Sequence, residues 1–103
     1  MTIDEIIESI RNGKIRITDH ADEEAHNDGL TFDEIFTSVL NGIVIESYPD
    51  DNPYPSCLIY GENYKSEPIH SVWACNKETG ASVLITVYRP EPGKWIGWKR
   101  RKK

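Results

Sequence analysis

Ile3, Ile6, Ile7 and Ile10 repeat at the i, i+3, i+4, i+7 spacing of one helical face, and Thr2 with Glu5 has the spacing of a capping box. A first helix is predicted there, stopped at Asn12 and Gly13 because glycine accepts the left-handed conformation that often ends a helix. Residues 14–18 alternate polar and apolar and predict a brief extended connection. Asp19 then caps a second helix reaching about Asp28, with a thin apolar side of Ala21 and Ala25 and a stop at Gly29. Thr31 and Glu34 repeat the capping box. Phe32, Ile35, Phe36, Val39 and Leu40 form the strong stripe of a helix packed on a sheet, closed by Asn41 and Gly42.

After Gly42 the period changes. Runs at 43–48, 56–60, 69–76 and 81–89, each bounded by Pro, Gly, Asn or Asp, predict four strands. Helices followed by strands imply an α+β domain in which the helices cover one face of a four-stranded antiparallel meander. A turn over 77–80 pairs Asn76 with Ala81. Continued without interruption, that register gathers Val72, Ala74, Val83, Ile85 and Val87 on one apolar face. It sets His70 opposite Val87 with Arg89 diagonal to it, whereas a slip of one residue sets His70 opposite Tyr88. Pro90, Pro92 and Gly93 end the last strand, and Trp95 and Trp98 are expected to pack as anchors.

Composition narrows the class. The 103 residues suit one domain, assigned to residues 1–98 with a basic tail at 99–103, and 38% hydrophobic with 28% charged residues is a globular profile. No apolar run is long enough to cross a bilayer and the N-terminus lacks a signal-peptide pattern, so a cytoplasmic protein without a membrane partner is expected. Charge is unevenly distributed. Residues 1–98 hold seven Lys or Arg against seventeen Asp or Glu, net −10, and Lys99, Arg100, Arg101, Lys102 and Lys103 add +5. An acidic body is no general duplex-binding surface, so any contact with RNA falls to Lys94 and to the tail, Lys99 to Lys103.

The candidate chemistry rests on histidine, whose ordinary pKa of about 6.5 suits proton transfer. His20 opens the second helix with Glu24 four residues on, placed to orient its imidazole. His70 lies in a strand near Arg89, a permanent cation with a planar fork suited to phosphate, and Tyr88 is a spare acid or base. His26 reads as surface. Cys57 and Cys75 read as small core residues without ligand spacing, and no zinc motif, phosphate loop or dinucleotide fingerprint occurs, so neither metal nor cofactor is expected.

Several of these segments together resemble a known family: residues 17–21 with Asp19, His20 and Ala21; Gly29, Leu30 and Thr31; the Pro-rich run 48–58; Pro68, Ile69 and His70; and 85–90 with Trp95. The chain is similar to domain of unknown function family 4258, thought to share the RelE and BrnT type fold of bacterial toxin ribonucleases. That resemblance implies a RelE-like fold and a site at His20, His70 and Arg89. It also implies a basic residue after the His-Ala pair and an Arg before the Gly, where this chain has Glu24 and Asp28. Two functions are therefore expected as rivals. One is a metal-independent toxin-type endoribonuclease whose two histidines exchange protons while Arg89 stabilises the phosphorane. The other is a non-catalytic module that binds a basic or antitoxin-like protein through its acidic first half, net −11 through Glu62. A small-molecule or metal sensor is a third, weaker alternative.

Overall fold

Three helices form where the apolar stripes place them: α1 (Ile3–Arg11), α2 (Asp19–Asn27) and α3 (Phe32–Leu40). The structure is a computed structural model and describes residues 2–102. The caps partly differ from the sequence expectation. Thr31 Oγ1 accepts from the Glu34 N–H (3.1 Å) as the box requires, but the Thr2 side chain makes no cap bond. The cap of α2 is Thr18, whose Oγ1 accepts from the Ala21 N–H (3.0 Å); Asp19 is the first helical residue instead. Thr18 does more than cap, because its hydroxyl also donates to the Ile85 carbonyl (3.0 Å) and its N–H donates to the Leu84 carbonyl (3.2 Å).

Residues 43–48 form β2 (Ile43–Tyr48), followed by β3 (Ser56–Glu62), β4 (Pro68–Asn76) and β5 (Ala81–Tyr88) in an antiparallel run. The expected four-stranded antiparallel sheet is corrected at its edge. The extended connection is a true strand, β1 (Ile15–Ile17), which pairs parallel with β5 and makes a mixed five-stranded sheet ordered β1-β5-β4-β3-β2. Alternation in residues 14–18 revealed the extended backbone but not its partner, which lies some 67 residues away, as in Ile15 against Ser82.

The β4–β5 register is also corrected. Pairing begins as expected at Asn76 and Ala81 and holds to Trp73 and Leu84, but a bulge between Val72 and Trp73 then shifts it. Beyond the bulge His70 faces Tyr88 and Ser71 faces Val87. The face turned to the helices is Cys57, Ile59, Ile69, Trp73, Leu84 and Val87, the last brought to that side by the bulge, packed with Ile6, Ala21, Ala25, Ile35 and Val39, and not the set centred on Val72, Ala74, Val83 and Ile85. The larger Trp73 and Leu84 take the deeper side.

The opposite face is covered as well. After Pro90 the chain turns back as a hairpin of β6 (Trp95–Ile96) and β7 (Arg100–Arg101), pairing Trp95 with Arg101 and Ile96 with Arg100. Residues 99–102, expected as a tail, therefore begin the return of this hairpin; Lys103 lies outside the described residues. Trp95 is buried as expected of an anchor, and Trp98 is half-buried.

Gly61 shows how closely α3 lies on the sheet, since a Cβ there would overlap the Ser38 carbonyl of the helix backbone. The contact is backbone to backbone and has no flexible end to yield. Gly61→Ala is expected to cost about 3 kcal/mol or more, read as a lower urea midpoint with unchanged slope.

Candidate functional site

His70 occupies the centre of the outer sheet face. Period-two alternation turns it away from the helical core, and the hairpin seals it completely, at 0% exposure. Its ring meets Trp95 edge-on with centroids 4.4 Å apart, Tyr88 at 5.3 Å and Tyr60 at 6.1 Å. Nε2 lies 2.6 Å from the Trp98 carbonyl oxygen and Nδ1 lies 3.2 Å from the Tyr88 hydroxyl. A carbonyl only accepts, so Nε2 carries the proton, and the neutral ring takes the Tyr88 O–H at Nδ1. Burial holds the His70 pKa below its ordinary value, outweighing the Trp98 carbonyl and Glu46, which favour the imidazolium. Burial likewise raises Tyr88.

Arg89 serves as a structural tie. Its Nε donates to the Asp28 carbonyl (2.9 Å), Nη1 donates to Glu67 Oε1 (3.3 Å), and Nη2 lies 3.7 Å from Glu34 Oε2. Its own N–H donates to Asp28 Oδ2 (2.8 Å). The bulge, by turning Val87 inward, sends Arg89 toward the α2–α3 connection and away from His70. Asp28, which departs from the residue implied by the family resemblance, thus receives both the backbone and the side chain of Arg89.

Arg101 is equally committed. Its Nε and Nη2 fork onto Glu46 at 2.8 and 3.1 Å while its guanidinium carbon lies 4.7 Å from the centre of the Trp95 ring. That fork holds Glu46 below the usual carboxylate range. Tyr48 also donates to Glu46 (2.5 Å), and burial together with that contact pushes its hydroxyl up to about 12.

A cleft of about 580 Å³ lies where α2 and the hairpin meet the end of β5, lined by Glu24, Asp28, Tyr88, Arg89, Glu91, Lys94, Trp95 and Arg101. The sequence-predicted residues Glu24, Tyr88, Arg89, Lys94 and Arg101 therefore do come together. The two histidines do not join them. His70 is behind the wall, and His20 is exposed on the first turn of α2, with no hydrogen bond to Glu24 among the described residues. Lys99 Nζ sits 5.7 Å from the centre of the Tyr60 ring, and Arg100 and Lys102 are exposed on the hairpin. Sequence reasoning missed Glu46, Tyr48 and Tyr60; the one available signal was an acid inside the otherwise apolar start of β2.

The electrostatics of the cleft follow from these pairings. Arg89 is neutralised by Glu34 and Glu67, and Arg101 by Glu46, all three outside the cleft; within it, Lys94 pairs with Glu91 (3.7 Å). Among the described residues neither Glu24 nor Asp28 forms an ion pair, although Asp28 Oδ2 accepts the Arg89 backbone N–H. Both cysteine thiols are buried and raised by that burial, Cys57 to about 11, which suppresses the nucleophilic thiolate. Among the described residues no group of His, Cys, Asp and Glu is placed to hold a metal ion, and no helix is long and apolar enough to cross a membrane.

The family described as Domain of unknown function (DUF4258) matches residues 17–89. The chain belongs to it. The matched segment runs from the end of β1 to Arg89 and so contains His20, Glu24, His70, Tyr88 and Arg89, whereas the hairpin that seals His70 follows it. No curated protein and no solved structure matches the chain.

The buried imidazole ties stability to pH. With the folded pKa below the ordinary value of about 6.5, the unfolded chain binds a proton that the folded chain refuses as pH falls through that window. Stability is complete above about pH 6.5 and declines below it. Urea midpoints are expected to drop on going from about pH 7.5 to about pH 5, with His70→Gln removing this part of the slope whatever its effect at pH 7.5.

Proposed function

We propose that this DUF4258 protein is a non-catalytic binding module for a basic protein segment. The observation that carries the reading is that both guanidiniums of the cleft are already paired with carboxylates, while among the described residues Glu24 and Asp28 form no ion pair. A scissile phosphate needs cations free to receive developing charge, and this arrangement offers it little. The helical side adds seven exposed acids, Asp4, Glu5, Glu8, Asp19, Asp22, Glu23 and Asp33, which steer and orient a cationic partner. Titration with an Arg-rich peptide is expected to show binding that weakens as salt rises. Replacing Glu23 and Glu24 together by Lys lowers the affinity by about tenfold. Equal affinity for an acidic peptide, or no loss in the double variant, overturns the reading.

One observation supports a second reading, a RelE-like metal-independent endoribonuclease: Tyr88, Arg89, Glu24, Lys94 and Arg101 share a cleft beside a basic hairpin. In that case Tyr88, backed by His70, is the proton carrier and Lys99, Arg100 and Lys102 hold the RNA backbone. Incubation with free and ribosome-bound RNA separates the two. Intact RNA supports the binding module, and cleavage that Tyr88→Phe abolishes supports the nuclease.

A further inference from the structure

The hairpin that forms one wall of the cleft has little of its own to hold it in shape. Its ladder is two residue pairs long, and a two-stranded hairpin is at best marginal in water even when longer. Its turn passes through Gly97 and Trp98 with φ of +56° and +65°. Glycine takes that conformation without cost, but a bulky residue does so under strain. The strain is held by tertiary contacts that can be named one by one: His70 Nε2–H to the Trp98 carbonyl, Trp95 packed edge-on against His70, and the Arg101 fork on Glu46. The strands beneath are different in kind, with Cys57, Leu58, Ile59, Ile69 and Trp73 all at 0 or 1% exposure.

We infer that the hairpin is a hinged wall, which swings about residues 90–93 while the five-stranded sheet and the helices stay folded. Docked, it supplies Lys94, Trp95 and Arg101 to the cleft. Undocked, it takes those groups away and uncovers Tyr60, His70 and Tyr88, so the cleft and an accessible imidazole are alternatives. A ligand touching both walls stabilises the docked state by its differential affinity for it and keeps His70 sealed. This holds whichever function the cleft serves, because it depends only on how the hairpin is attached.

Amide hydrogen exchange on the full chain, followed at several low urea concentrations, tests the hinge. The Lys99 N–H, donated to the Ile96 carbonyl, and the Lys102 N–H, donated to the Lys94 carbonyl, report the hairpin. They are expected to exchange by an opening with a small urea dependence, well below that of the β4 amides, and about a hundredfold faster than those amides. Arg101→Ala is expected to speed them about tenfold further and leave β3 and β4 unchanged. Glu46→Gln, which preserves size but neutralises the acceptor, gives the same pattern and serves where the first variant folds poorly. Hairpin amides that exchange together with β4, with the same urea dependence in wild type and in either variant, would place the hairpin inside the cooperative unit and overturn the inference.

Discussion

A neutral imidazole donating to a backbone carbonyl organises the outer half of this molecule. The His70 N–H holds the Trp98 carbonyl, and through it a strained turn; the same ring packs perpendicular to Trp95, which in turn lies under Arg101. An imidazole sealed at that depth is stable only uncharged and only if both nitrogens are matched, conditions met by one carbonyl and one hydroxyl. The histidine that looks most chemical in the sequence is therefore first of all the keystone of a second, smaller core.

That second core separates charge across the sheet. The helices lie on one side with their acids outward, and the hairpin lies on the other with Lys94, Lys99, Arg100 and Lys102 outward. The acidic body and basic end of the sequence thus become opposed faces of one domain. Where the two sides meet, at the end of β5, their side chains interlock: Arg89 reaches toward α2 and α3, and Arg101 reaches across to β2. The two guanidiniums of the cleft are consequently tied to carboxylates outside it, and Lys94 to Glu91 within it.

The geometry also suits acids at Glu24 and Asp28. Asp28 receives the Arg89 backbone N–H and its carbonyl receives the side chain, so an acid there stabilises the exit of β5. Glu24 borders open space and interferes with no buried group.

Much of the architecture was legible in the chain by itself: the three helices, the four main strands and the turn at 77–80 all follow from local periods and from caps and breakers a few residues apart. Local chemistry also made Trp95 an anchor and Cys57 and Cys75 core residues. Three decisions were not local. The pairing of β1 with β5 joins distant segments, the bulge at Val72 and Trp73 reflects competition between two faces that are both covered, and the return of the hairpin depends on an Arg101–Glu46 contact between opposite ends of the fold. Those three settle which candidates meet, because a one-residue shift in a strand turns every later side chain to the other face. Residue types and their spacing determined the elements; only packing on both sides of the sheet decided that Tyr88 faces His70, that Arg89 leaves it, and that the imidazole is enclosed.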